Sequence, residues 1–272
     1  MPIKLISKEL TDPSLNGRFG FLVAHLHTDR SSRRVSIITK KLYEQIDTII
    51  NSFIFLMPHT ILLVIHPRDY VIRDWRSLPV LPLLFSRIRD VPCAHFLSTI
   101  TLANSQLRFT GTTWSKQDGT LRPFFPYRTA LEASMFLINR DSTKTFDKWS
   151  SKVDALNTVR RVDVWRSSRV KDSYDLSPYE YKSLLDLFCH PQRIIYDPLP
   201  LNGGFAIASA DIGRNYVGVY KNVQLMEQVA RRIAKVREAQ ANEDRHAIVA
   251  PSTRVRKLKK AANVLGWRSR VR

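Results

Sequence analysis

The C-terminal tail of this 272-residue chain is rich in the residue types that contact phosphate groups. The chain has 43 Lys and Arg against 24 Asp and Glu, a formal net charge of +19. Residues 228–272 hold 13 of the basic residues against 3 acidic ones, so +10 of that charge lies there. A basic field of this size favours polyanions such as nucleic acid, because binding phosphates releases counterions. The plainer alternative is a solvated tail that only aids solubility.

Aromatic and apolar residues interrupt the basic run, and a tryptophan among cations can stack on a base or enter an RNA groove. A second, shorter basic cluster stands near the N-terminus. We therefore predict RNA binding through both segments. The predicted contacts are Arg33, Arg34, Arg254, Arg256, Lys257, Lys259, Lys260, Trp267, Arg268, Arg270 and Arg272.

Two imidazoles, those of His25 and His27, share one face of a possible strand. Some metal sites and nicking enzymes use such pairs, but they also need a third ligand or a well-placed tyrosine. No acidic cluster joins the other five histidines to this pair. We therefore expect no metal site.

Three further residue groups suggest enzymes of the doubly wound type. The Gly203-Gly204 pair follows a predicted strand, but the phosphate-binding patterns GxGxxG and GxxxxGK[ST] are absent. A turn with positive φ explains the pair without a nucleotide. Asp197 and Asp211 are each predicted to end a strand, where such enzymes place catalytic groups, although strand-end aspartates are also routine turn formers. With no nucleophile or base at a recognisable spacing, we predict no catalytic residue and no cofactor.

The glycine pair and the two aspartates lie within residues 193–241, a segment around which the rest of the chain can be arranged. It is predicted to contain short apolar strands at 194–196 and 205–210, an extended piece at 216–220 and then a long amphipathic helix. Strands without a polar face are typical of a parallel sheet that is covered on both sides.

An earlier stretch repeats the alternation of strand and helix. A strand is predicted at 19–26 and a short β-branched run at 35–38. Apolar residues at three- and four-residue intervals predict a helix over 40–57 that Pro58 ends. A strand at 60–65, a crossover helix within 71–90 and strands at 91–96 and 99–104 complete the stretch.

The predicted fold class is α/β, a parallel β-sheet flanked by helices in a flavodoxin- or Rossmann-like three-layer arrangement. The predicted organisation is an N-terminal arm (1–34), the first part of the core (35–104), a partly helical insertion (105–190), the second part of the core (191–241) and a basic tail (242–272). Within the insertion, helices are predicted at 127–138 and at 178–188, the second capped by Ser177.

The two cysteines, Cys93 and Cys189, cannot build a disulfide scaffold or a four-ligand zinc site, and we expect buried reduced thiols. There is no lipidation motif and no run of about 18 apolar residues, so no membrane partner is expected. The N-terminus lacks the apolar core of a secretory signal.

With the elements placed, several stretches resemble the small-subunit ribosomal protein S-two family. VSIITKKLYEQIDTIINSFIFL followed by TILLVIHPRD resembles that family's "IHIIDLxKT" helix and "ILFVGTK" strand, and VPCAHFLSTITLAN is similar to "PYVxxRWLGGTLTN". RIIYDP and FAIASADIGRNYVGVYKN resemble "PDLIIVxDP" and "IPVIALVDTNxDPxxVxYPIPGND", with Asp211 and Asn222 on the family's aspartate and asparagine. The "GTK" lysine, the tryptophan before "TLTN" and the "IPGN" proline are not retained.

The resemblance implies a non-enzymatic constituent of the small ribosomal subunit, in a divergent, mitochondrial version. Its expected partners are small-subunit ribosomal RNA and neighbouring ribosomal proteins, and its expected location is the mitochondrial matrix rather than the cytoplasm. Asp211 and Asn222 become turn and cap residues. Two alternatives stay open: a viral or mobile-element RNA-binding protein, and an α/β enzyme acting on nucleic acid through Asp197, Asp211 or the His25/His27 pair.

Overall fold

An eight-stranded mixed sheet forms the centre of the molecule. A computed structural model describes residues 3–7, 12–27, 34–67, 69–71, 77–104, 115–117, 120–122, 131–139, 164–167 and 176–249. The strands are β1 Ile3–Ile6, β2 Phe19–His25, β3 Leu56–Pro67, β4 Asp69–Val71, β5 Ser77–Pro79, β6 Ala94–Asn104, β7 Ser115–Gln117, β8 Thr120–Arg122, β9 Leu131–Ile138, β10 Val164–Ser167, β11 Ile194–Asp197 and β12 Asn215–Val219. The sheet order is β1-β12-β11-β2-β3-β9-β6-β10, while β4-β5 and β7-β8 form separate two-stranded pairs.

Helices cover both faces of this sheet. The helices are α1 Val35–Asn51, α2 Val80–Ile88, α3 Pro178–Phe188, α4 Gly204–Asp211 and α5 Val223–Val249, with 3-10 turns at Pro13–Leu15 and Ser52–Phe55. Helices α1 and α2 pack on one face, and α3, α4 and α5 on the other. Strand β3 divides its side chains between the two cores: Leu63 and Ile65 face α3–α5, whereas Leu62 and Val64 face α1 and α2. The α/β fold class with flanking helices is therefore confirmed.

The sequence analysis predicted a parallel sheet, but the sheet is mixed. Strand β9 runs antiparallel to both of its neighbours. The prediction of a helix over 127–138 is thus wrong: Leu131–Ile138 is a buried strand between β3 and β6. Residues 131–135 alternate apolar and polar side chains as a strand does, but all eight residues are buried and the apolar run at 135–138 fits a buried helix equally well. The segment predicted as an insertion also supplies the edge strand β10.

The strand predicted at 205–210 is also wrong, because these residues form helix α4. The run FAIASA is apolar on every side, and α4 lies between α3, α5 and the sheet, so no polar face reveals the helical period. The β-branched run at 35–38 belongs to α1, and the two strands predicted within 91–104 are one strand, β6, with an irregularity between Phe96 and Ser98.

Several other predicted elements agree with the structure. The strands at 19–26, 60–65, 194–196 and 216–220 correspond to β2, β3, β11 and β12. Ser177 caps α3 through a capping box in which its hydroxyl accepts from Glu180 N and the Glu180 carboxylate accepts from Ser177 N. Both cysteines are free thiols; Cys189 is buried, and burial raises the pKa of its thiol to about 12, whereas Cys93 is half-buried. Among the helices that the structure describes, none has the length and apolarity to cross a bilayer.

Candidate functional site

Two neighbouring parallel strands, β2 and β11, define the candidate site. From β2 the chain passes through α1 to β3 on one side, and from β11 it passes through α4 to β12 on the other. Helices α1 and α4 lie on opposite faces of the sheet, so the two connections diverge and leave a crevice beyond the carboxyl ends of the strands. Such a reversal of strand order is where doubly wound proteins bind ligands.

A cavity of about 630 Å³ occupies this crevice, a size typical of small-molecule sites. Its walls come from the end of β2, from α1, from the loop after β11 and from the segment that joins β12 to α5. The lining residues are His25, His27, Lys41, Glu44, Gln45, Thr48, Pro198, Leu199, Pro200, Leu201, Val219, Tyr220, Lys221, Asn222 and Leu225.

Helix α1 gives the cavity a polar wall. Lys41, Glu44, Gln45 and Thr48 are spaced i, i+3, i+4 and i+7, which places them on one helical face. The Gln45 side chain fixes that face to the end of β2: its Oε1 accepts from the His27 backbone N–H at 2.8 Å, and its Nε2 donates to the His27 carbonyl. The distance between this wall and the end of β2 is therefore set by a two-point clamp.

The loop after β11 forms another wall of the cavity. Side chains of the protein occupy the space beside the two glycines of this loop. Gly203 is the N-cap of α4, with φ 70°, and a Cβ built there would lie 2.4 Å from Val229 and 3.0 Å from the Tyr220 hydroxyl. A Cβ at Gly204 would lie 2.1 Å from the Tyr181 ring. The glycines are therefore required for close packing within the protein.

Asp197 lies at the end of β11, as predicted, and is almost wholly buried. Its Oδ2 accepts from the Tyr216 hydroxyl at 2.9 Å and its Oδ1 from Leu199 N at 3.1 Å. Burial raises the pKa of the Asp197 carboxyl to about 7, although both hydrogen bonds act to lower it. Both oxygens are engaged by the protein, so this carboxyl orders the turn rather than facing the cavity.

Asp211, in contrast, does not end a strand. It is the last residue of α4, exposed, and its carboxylate accepts from Lys182 Nζ at 2.8 Å. Helix α4 returns the chain from the carboxyl end of β11 to the amino end of β12. Asp197 and Asp211 therefore lie at opposite ends of the strands and form no catalytic pair. Asn222 is a helix cap, as predicted: its Oδ1 accepts from Leu225 N at 3.2 Å in the first turn of α5.

The two predicted histidines both reach the cavity. His25 is buried, with Nδ1 3.4 Å from the Tyr181 hydroxyl, and His27 is half-buried at the mouth of the crevice. No group of three His, Cys, Asp or Glu side chains in the described ranges is placed to hold a metal ion.

Of the predicted RNA contacts, only Arg34 lies within the described residues. It is exposed, and it is the N-cap residue that precedes α1, with an extended backbone. The others, Arg33, Arg254, Arg256, Lys257, Lys259, Lys260, Trp267, Arg268, Arg270 and Arg272, fall outside the described part of the chain. The α1 wall of the cavity was not predicted, although its polar residues at helical spacing are visible within the predicted helix 40–57.

No protein-family model and no curated protein sequence matches the chain. Several solved structures match the chain by their fold. A protein from Thermus thermophilus described as a DNA modification methylase, complexed with S-adenosyl-L-methionine, superposes with a TM-score of 0.61 and 16% identity over 86% of this chain and 94% of that one. PvuII DNA methyltransferase (cytosine-N4-specific) superposes with a TM-score of 0.58 and 8% identity over 82% of this chain and 84% of that one. At these identities the likeness shows the fold.

This likeness overturns the resemblance to ribosomal protein S-two, which is wrong. The small-subunit role and the ribosomal partners inferred from it are wrong as well, because the two solved structures reported above, which share this fold over most of the chain, are described as DNA methyltransferases. The prediction of a non-enzymatic protein is corrected by the same finding. The S-two motifs were short apolar strands and helix spacings that many α/β sheets share. The mitochondrial location stays a prediction.

Proposed function

We propose that this chain is a nucleic-acid methyltransferase whose reaction centre is the cavity between α1 and the loop after β11. The observation that carries the proposal is the place of the cavity, at the reversal of strand order in a fold shared with a methylase that binds S-adenosyl-L-methionine. Of the two open alternatives, the α/β enzyme acting on nucleic acid is therefore preferred, with His27 rather than an aspartate at the reaction centre.

The lining suits a nucleoside-type methyl donor. Leu199, Leu201 and Leu225 offer an apolar surface for a base, and Glu44 offers a carboxylate for hydroxyl or ammonium groups. The glycine turn is the exception, since Tyr181, Tyr220 and Val229 occupy the space beside it. A donor would consequently rest against the α1 wall and the leucines. S-adenosyl-L-methionine, when bound, supplies an electrophilic methyl group.

His27 is the residue best placed to assist the transfer. An amino group of a target base loses a proton when it is methylated, and a half-buried imidazole at the mouth of the cavity can accept that proton. Enzymes that act on a base inside a duplex must first extrude it from the stack, and the open side of the crevice leaves an approach for such a base.

Basic residues beside the cavity support nucleic acid as the substrate. Lys41 on α1 and Lys221 on the opposite wall line the cavity, Arg34 is the N-cap residue that precedes α1, and all three are exposed. Their charges suit phosphates that flank an extruded base. The net charge of +19 for the whole chain provides the long-range attraction.

The test is transfer of a radiolabelled methyl group from S-adenosyl-L-methionine to duplex DNA, single-stranded DNA or RNA. We expect label in at least one of these substrates, and a loss of about 100-fold in rate for His27→Ala. That substitution keeps the Gln45 clamp, which bonds the main chain of residue 27. His95→Ala, at an exposed histidine on β6, is the matched control and should leave the rate unchanged.

Absence of label from all three nucleic acids, with a correctly folded protein and a saturating donor, would contradict the proposal. Equal rates for His27→Ala and His95→Ala would remove His27 from the reaction while leaving the methyltransferase assignment in place.

A further inference from the structure

The end of β12 lacks the acidic residue that a bound ribose usually requires. In doubly wound proteins an acidic side chain beyond the glycine turn accepts hydrogen bonds from ribose hydroxyls. Here β12 is followed by Tyr220, Lys221 and Asn222. The Tyr220 ring is buried and close to Gly203, and Asn222 caps α5, so neither replaces a carboxylate.

The other nearby acid, Asp197, is also unsuitable. It is 2% exposed, and its two oxygens already accept hydrogen bonds from Tyr216 and Leu199. A ribose could reach it only by displacing bonds that hold the turn after β11 together.

Glu44 is the one acidic residue that lines the cavity in the described part of the chain. It is exposed on α1, on the wall opposite Tyr220 and Lys221. The helix backbone that carries Glu44 is fixed against the end of β2, because the adjacent Gln45 bonds both backbone groups of His27, and the Thr48 hydroxyl donates to the Glu44 backbone carbonyl at 2.8 Å.

We propose that Glu44 binds the ribose hydroxyls of the donor, so that α1 performs the task that the end of the second strand performs in other doubly wound proteins. The inference rests on the proposed function, because it concerns the nucleoside part of the methyl donor. It also specifies the ligand class: a ribonucleoside with free 2′ and 3′ hydroxyls, oriented with its sugar towards α1.

The experiment is calorimetric titration of the full chain with S-adenosyl-L-homocysteine, the thioether product. Hydrogen bonds to a charged group predict binding about 10- to 100-fold weaker for Glu44→Gln than for the wild type. Glu227→Gln, at an exposed glutamate of α5 that does not line the cavity, should bind like the wild type.

A second titration separates sugar recognition from a general loss of affinity. The wild type should bind adenosine more tightly than 2′,3′-dideoxyadenosine, and Glu44→Gln should bind the two equally. Thermal unfolding of Glu44→Gln should match the wild type, since the side chain is exposed.

The outcomes distinguish the two levels of the argument. If the wild type binds S-adenosyl-L-homocysteine and Glu44→Gln binds it equally well, the role of Glu44 is overturned while the methyltransferase proposal stands. If the wild type binds neither S-adenosyl-L-homocysteine nor adenosine, both are overturned. Weaker binding by Glu44→Gln that still discriminates between the two adenosines would also overturn the role in ribose binding.

Discussion

The two halves of the sheet, which meet at the cavity between β2 and β11, each hold a buried polar cluster, and the two clusters are bonded differently. In the half built on β3, β9 and β6, His66 lies within hydrogen-bond distance of Pro67 O at 3.0 Å and Ser134 Oγ at 2.8 Å, and Ser134 contacts Thr99. In the half built on β11 and β12, the Ser209 hydroxyl and two guanidinium nitrogens of Arg214 are buried with no hydrogen-bond partner among the described residues.

Burial shifts the pKa of one titratable group in each half, in opposite directions because one group is a base and the other an acid. Burial lowers the pKa of His66 to about 4, so this histidine stays neutral and its contribution to stability is lost only as the pH falls from about 6.5 towards 4. Burial raises the pKa of Asp197 to about 7, so its effect has the opposite sign. Unsatisfied buried groups occur in both halves, since the two ring nitrogens of His59 on β3 are also buried without a hydrogen-bond partner among the described residues.

The largest effect is expected at the glycine turn. Gly203→Ala combines a positive φ of 70° with a Cβ 2.4 Å from Val229, and should lower the free energy of unfolding by about 3 kcal/mol. Gly213→Ala is the matched control, with φ 66° and no atom within 4 Å, and should cost about 1 kcal/mol. Urea denaturation measures both. Equal losses would mean that Val229 and Tyr220 do not fill the turn.

The next effect is a pH dependence. Because the pKa of Asp197 is raised on folding, its contribution is most favourable below about pH 4 and is lost as the pH rises towards 7. The free energy of unfolding of the wild type, minus that of Asp197→Asn, should therefore fall over this interval, by at most about 1.4 kcal/mol per pH unit. Urea denaturation between pH 4 and 8 measures the difference. A difference that does not change with pH would show that the carboxyl titrates normally.

The smallest expected effect is the difference in stability loss between two serine substitutions, one in each half of the sheet. Ser134→Ala removes the partner of a fully buried His66 nitrogen and should cost about 1 to 2 kcal/mol. Ser209→Ala removes an equally buried hydroxyl that makes no hydrogen bond within the described residues, and should be neutral or slightly stabilising in helix α4. Thermal unfolding of the pair provides the measurement. Similar losses in both variants would erase the contrast between the halves.

The elements with a clear amphipathic or capping pattern could be predicted from the sequence. Helix α1 shows apolar residues at helical spacing, and α3 begins with a serine, a proline and a glutamate in capping order. Helix α4 and strand β9 could not be separated in this way. Most residues of both elements are buried, so α4 has no polar face and the alternation in β9 is limited to residues 131–135.

The candidate site shows the same limit. His25, His27, Asp197 and the glycine pair stand out by residue type, but their roles depend on what lies beside them. Glu44 and Gln45 look like ordinary polar residues of an amphipathic helix until α1 is placed against the end of β2. The resemblance to a ribosomal protein arose because short apolar strands carry little information about which sheet they belong to.

Composition and local periodicity were enough to establish the α/β class, most of the parallel strands, and the strong positive charge that favours a nucleic-acid partner. These properties are carried by neighbouring residues and do not depend on distant contacts. The folded arrangement was needed to locate the reversal of strand order and to show which side chains face one another across the crevice. Residues 27, 44, 197 and 220 are far apart in the chain, and their roles are set by pairings between distant segments.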